Sequence, residues 1–138
     1  MNKLAPFLFL LFLLSACSSL KNTVYKPSSF EIRFGHLGGF TNLPMEYLIN
    51  GDRNVFKVQH DTIFCVNKLT REELEGIQCS LNELNFETMR LDVPGDMTYF
   101  IRVKTPEYAN EVQWYHLSGN AEVKELYSIL LTTLVEKK

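Results

Sequence analysis

Apolar and polar residues alternate most cleanly near the start of the chain's main body, where Phe30, Ile32 and Phe34 are interleaved with Glu31 and Arg33. A period of two predicts a strand with one buried face. Gly35 to Pro44 reads as a glycine-rich loop, and Met45 to Ile49 as a second strand. Asn50-Gly51-Asp52-Arg53 is a turn, since Asn-Gly is a favoured hairpin pair. Asn54 to Gln59 continues as the third strand, and His60-Asp61 turns into a fourth, Thr62 to Val66. The period then changes. Leu74, Ile77, Leu81 and Leu84 recur at helical spacing behind Thr70-Arg71-Glu72-Glu73, which has the form of a capping box, and the helix extends to about Asn85. Asp92-Val93-Pro94-Gly95-Asp96 reads as a turn. Tyr99, Ile101 and Val103 alternate with Phe100, Arg102 and Lys104, Thr105 to Asn110 is a loop, and Glu111 to His116 is the sixth strand. Ser118-Gly119-Asn120 offers an N-cap to a last helix with Val123, Leu126, Tyr127, Leu130 and Leu134 on one face and Lys137 and Lys138 at its negative end.

This order, β-β-β-β-α-β-β-α, predicts an α+β fold. Short connections favour antiparallel pairing, so the expected sheet is an antiparallel meander. Each amphipathic helix needs a surface to cover, and one face of the sheet supplies it. The other face is expected to stay wet, at Glu31, Arg33, Lys57, Arg102 and Gln113.

Ahead of this body the pattern is different. Lys3 precedes an apolar run from Leu4 to Leu14, interrupted only by Pro6. The run has the length of a secretory h-region and falls short of the roughly 20 residues of a spanning helix. Small residues follow, and Leu14-Ser15-Ala16-Cys17 resembles the lipobox of a bacterial lipoprotein signal peptide. The resemblance implies cleavage before Cys17, a diacylglycerol on its sulfur and a fatty acid such as palmitate on its new amino group. Two or three acyl chains anchor firmly where one does not. Gram-negative lipoproteins retained on the inner membrane usually carry Asp after the cysteine, so Ser18 resembles the outer-membrane default, facing the periplasm. The expected organisation is a removed signal at 1–16, a lipidated tether at 17–29 and a single domain at 30–138.

Charge narrows the function classes. A net charge of −2 lacks the basic excess of a sequence-independent nucleic-acid binder and gives no reason for adhesion to anionic headgroups. An oxidising compartment permits a disulfide between Cys65 and Cys79. However, Cys79 falls about 140° round its helix from Leu74, while Cys65 sits in a strand that the Leu74 stripe should cover, so free thiols are expected.

Candidate chemistry is sparse. Gly35, Gly38 and Gly39 have neither Walker nor dinucleotide spacing, and no Gly-Lys-Ser/Thr follows. His36, His60 and His116 lie at strand ends without a local ligand pair. Asp92 and Asp96 lack the alternating oxygen ligands of a calcium loop and suit turn capping. No G-x-S-x-G elbow is present. These readings point to a non-enzymatic protein with no metal and no cofactor. Trp114 alternates onto the core side with Val112, whereas Phe100, Arg102, Gln113 and Tyr115 project onto the opposite face and form a candidate binding face. His36, Gly38, Gly39 and Phe40 form a candidate binding loop.

The run from Phe30 to Thr41, the Tyr47 to Asp52 turn and the Pro94 to Phe100 segment resemble small uncharacterised bacterial envelope lipoproteins with a Gly-Gly-Phe-Thr loop. That resemblance implies an envelope location and brings no activity with it. The leading expectation is a module that binds an envelope protein or polymer. The alternatives are a small-ligand carrier or enzyme using the 35–44 loop, or an inhibitor of an envelope-attacking hydrolase, for which a projecting loop is the expected device.

Overall fold

The computed structural model describes residues 23–135. The signal at 1–16, Cys17 and the charges of Lys137 and Lys138 lie outside the described residues. Seven strands, β1 (Glu31–Gly38), β2 (Met45–Asn50), β3 (Asn54–Gln59), β4 (Thr62–Lys68), β5 (Asp92–Val93), β6 (Met97–Lys104) and β7 (Ala109–Tyr115), form one sheet. Two helices, α1 (Arg71–Glu83) and α2 (Ala121–Thr132), accompany it. The strand order is β4-β3-β2-β1-β6-β7-β5.

The α+β class stands, but the sheet is not the expected six-stranded meander. Two antiparallel runs, β1 to β4 and β6 to β7, are joined because β1 pairs β6 on its second edge, with Ile32 opposite Val103 and Phe34 opposite Ile101. This pairing places β1 inside the sheet, where both its edges are hydrogen-bonded. Asp92–Val93, expected as part of a turn, is a two-residue strand parallel to β7. β1 runs on to Gly38, so Gly35 and His36 are strand residues rather than loop residues. β7 begins at Ala109, which shortens the preceding loop.

One row across the sheet, Val55, Ile49, Ile32 and Val103, and the next, Tyr47, Phe34, Ile101 and Val112, face the helices. On α1, Leu74, Ile77 and Leu81 are buried, and on α2, Val123, Leu126, Tyr127 and Leu130. The capping box forms: Glu73 N donates to Thr70 Oγ1 at 3.2 Å, and Thr70 N donates to Glu73 Oε2 at 2.8 Å. Asn120 caps α2 by accepting from Val123 N at 2.8 Å. Asn85, in the left-handed conformation at φ 49°, ends the first helical segment.

The second face is not the wet sheet that the alternation suggests. Leu48 and Phe56 are fully buried there, Phe100 is 3% exposed and Glu31 7%. Residues 23–29, expected as part of the tether, lie across this face instead. The Tyr25 ring meets Phe56 edge-on at 5.5 Å, and its hydroxyl donates to Glu31 Oε1 at 2.7 Å. Ser28 N donates to the same oxygen at 3.1 Å. Arg33 bridges Glu46 at 2.8 Å and Glu31 at 3.6 Å. Lys57 is misplaced by the sequence reading: it stands opposite Tyr47, on the helix side. Cys65 stands opposite Phe56, so it faces away from the helices.

A pH dependence follows from this strap. Burial by itself would raise the Glu31 carboxyl, but hydrogen bonds from Tyr25 and Ser28 and the charges of Arg33 and Lys104 outweigh it and hold the pKa below its ordinary 4.5. A depressed carboxyl stabilises the folded arrangement above the unfolded value, and the contribution disappears as pH falls through the folded value. Residues 24–30 should therefore loosen at pH below 4.5. Amide protection factors are expected to fall in this segment on acidification while β6 stays protected; a parallel loss in both would mean that Glu31 does not hold the strap.

Candidate functional site: a projecting loop

The chain turns between β1 and β2 through residues 39–44. Gly38 and Gly39 both have φ +80°, and a Cβ on Gly38 would lie 2.2 Å from the Asp96 carbonyl oxygen. The close approach needs glycine, because a side chain would collide with fixed backbone. The loop is pinned to the turn before β6: Gly39 N donates to Asp96 O at 2.9 Å, and Asn42 N donates back to Gly39 O at 3.1 Å. That turn is itself tied down, since Gly95 N donates to Thr98 Oγ1 at 3.1 Å and Thr98 Oγ1 donates to Gly95 O at 3.0 Å. Asp96 thus supports the loop, whereas Asp92 lies in β5 opposite Gln113.

On this braced backbone the large apolar side chains are exposed, beside the exposed polar Thr41 and Asn42. Phe40 is 108% exposed, as open as in an extended peptide, and Leu43 is 58% exposed. Leu37 and Met45 flank them, also exposed. Of the candidate loop residues, Gly38, Gly39 and Phe40 are therefore brought together. His36 is separate: it points to the helix side of β1, with its ring 6.1 Å from Tyr99, and its Nδ1 is buried without a hydrogen-bond partner.

The candidate sheet face is different. Register places its four residues on one side, with Phe100 opposite Gln113, Arg102 opposite Glu111 and Thr98 opposite Tyr115. Phe100, however, is a buried ring, lying opposite Gly35 on β1 with the Arg102 guanidinium 5.8 Å from its centroid. Arg102 is paired to Glu111 at 2.6 Å. Tyr115 is half-buried, and the Pro94-Gly95 turn covers it so closely that a Cβ on Gly95 would lie 2.6 Å from the Tyr115 Cβ. The expected pair of exposed aromatics is not there. Alternation identifies the face correctly but cannot show the turn that closes over Tyr115 or the packing that buries Phe100.

An aromatic cluster does occur on the helix side. Tyr99 stacks on Trp114 at 5.9 Å, and Tyr127 meets Trp114 edge-on at 5.4 Å. Burial, and then the neighbouring phenols of Tyr99 and Tyr47, push the Tyr127 hydroxyl up to about 12. With His116 and Lys124 these rings line an open recess of about 210 Å³. Trp114 is 2% exposed, so the cluster mainly packs α2 onto the sheet.

His36, His60 and His116 lie at the same end of the sheet, yet among the described residues no group of three or more His, Cys, Asp or Glu is placed to hold a metal ion. Cys65 and Cys79 are free thiols; Cys79 is exposed on α1, while burial pushes the Cys65 thiol up. The chain matches no known family model, and no curated protein matches it significantly.

Proposed function

We propose that this chain is a non-enzymatic, lipid-anchored protein of the cell envelope, held in the outer membrane through Cys17 and facing the periplasm, that binds a partner protein with its 39–44 loop. The partner that fits best is an envelope-attacking hydrolase, which the loop blocks by occupying its cleft. The observation supporting this reading is Phe40, a fully exposed aromatic at the tip of a loop pinned by Gly39 and Asp96. A preformed segment loses little conformational freedom on binding, which favours affinity. Exposed aromatics that enter a pocket are typical energetic anchors. Protease–inhibitor pairs in particular bind with little backbone movement. Binding through the sheet face is less favoured, because Phe100 is already used in packing. A small-ligand carrier or enzyme would need polar groups converging beside the loop, whereas its largest exposed side chains, Phe40 and Leu43, are apolar.

The test has two arms. Anchoring predicts that Cys17 acquires acyl chains in the wild type and that Cys17→Ser loses lipid labelling. Inhibition predicts that the purified protein, titrated into a panel of envelope-attacking peptidases and cell-wall hydrolases, stops at least one at near-stoichiometric concentration, with amides 39–45 protected from exchange in the complex. A partner that leaves those amides unprotected would overturn the loop as the binding element.

A further inference from the structure

We infer that residues 23–30 act as a strap that shortens the lipid tether, so that the loop serves only partners whose cleft opens close to the membrane surface. This inference rests on the anchored, loop-binding reading above. If the whole of 17–29 were a spacer, its maximal reach from Cys17 to Phe30 would be about 45 Å. The segment is instead held down at Thr23, Tyr25 and Ser28. Tyr25 packs on Phe56 and donates to Glu31, Ser28 donates to Glu31, and Thr23 contacts Cys65 through its side chain. Arg33 Nη2 also donates to the Tyr25 hydroxyl at 3.5 Å. Glu31, at 7% exposure, joins the strap to the central strand and to Arg33, so the Tyr25 hydroxyl and the Ser28 amide are partnered on the sheet rather than left in water.

The reach left between Cys17 and Thr23 is then at most about 20 Å. Thr23 lies beside Cys65, three residues from the end of β4 at which the loop emerges. Three strand spacings separate β4 from β1, which puts the base of the loop about 20 Å from Thr23. The base of the loop therefore stays within about 40 Å of the bilayer. An enzyme working deep in the periplasm would lie out of reach; one acting at the membrane surface would not.

The test uses the full-length lipoprotein in phosphatidylethanolamine–phosphatidylglycerol vesicles. A donor dye is placed on the exposed Cys79 in a Cys65→Ser background, with an acceptor dye on lipid headgroups. Energy transfer should be high in this parent. It should fall at least about twofold in Tyr25→Ala/Glu31→Gln, as the maximal reach rises from about 20 to about 45 Å. An insertion of six Gly-Ser residues between Ser19 and Leu20 leaves every strap contact in place and should lower transfer as well. If Tyr25→Ala/Glu31→Gln unfolds, the insertion decides. Equal transfer in the parent and in the insertion would overturn the proposal, since tether length would not set the distance. The mass of the N-terminal peptide separates the two failures. Without acyl chains on Cys17 the anchor reading fails and this inference with it; with them, and with unchanged transfer, only the strap inference fails.

Discussion

Gly35→Ala is expected to leave little or no stable folded protein. Gly35 lies in the central strand β1, opposite Glu46 on β2 and Phe100 on β6. A Cβ there would sit 1.8 Å from the Met45 carbonyl oxygen, 2.9 Å from its carbon and 3.0 Å from the Glu46 Cα. All three are backbone atoms, so no side chain can swing aside. The only relief is to part β1 from β2, which breaks the sheet between rows of fully buried residues. Loss of more than about 4 kcal/mol is exceptional for one substitution, and it approaches the whole stability of a small domain, about 5–15 kcal/mol. Gly76→Ala is the contrasting case. No atom lies within 4 Å of its would-be Cβ, on the exposed side of α1, so alanine should stabilise by up to about 1 kcal/mol. Urea denaturation followed by circular dichroism checks both. A Gly35→Ala midpoint within error of the wild type would mean that β1 and β2 do not approach as closely as described.

The contrast between these glycines shows what the sequence can and cannot reveal. Local periodicity is written in the residues themselves, so the strand at Phe30 to Phe34, the Asn50-Gly51 turn, the Thr70 capping box and both helix stripes were all legible. Pairing between distant segments is not written locally. Nothing in the alternation of Ile32 and Phe34 says that their second neighbours are Val103 and Ile101 rather than solvent, so alternation alone places β1 at the end of a meander instead of inside the sheet. Gly35 carried a hint of this, since a glycine inside a strand often marks close backbone approach, but it sat beside Gly38 and Gly39 and was grouped with the loop.

The same reasoning explains the uneven reading of the site. Residues 23–30 contain Pro27 and three serine or lysine neighbours, a composition that resembles a linker. Tyr25 and Glu31 act through atoms on another element, and composition cannot show that. Once Phe100 packs opposite Gly35 under Arg102 and the Pro94-Gly95 turn closes over Tyr115, both rings lose the exposure that alternation gave them. Phe40 was legible as a loop residue. Its full exposure was not, because exposure depends on how the loop is placed on the rest of the fold, and the Gly39–Asp96 hydrogen bond that places it joins segments far apart in sequence.

Phe40→Ala should abolish partner binding while leaving the fold untouched. The ring is fully exposed, so removing it forfeits almost no burial, and the change in stability should stay within about 0.5 kcal/mol. An aromatic anchor that fills a partner's pocket typically contributes 2 kcal/mol or more, so affinity for any hydrolase the wild type blocks should drop by about 30-fold to 1,000-fold. Gly38→Ala provides the complementary test. It keeps Phe40 but drives a Cβ to within 2.2 Å of the Asp96 oxygen at φ +80°, which must displace the root of the loop. If the loop acts as a preformed element, Gly38→Ala should lose affinity comparably even though the aromatic is present, because the ordering cost avoided by the wild type returns. Inhibition constants and melting temperatures for the two variants decide the matter. If Gly38→Ala binds as well as the wild type while Phe40→Ala does not, Phe40 is an adhesive ring on a loop whose shape is irrelevant. If Phe40→Ala inhibits undiminished, the projecting loop is not the anchor, and the binding surface must be sought elsewhere on the molecule.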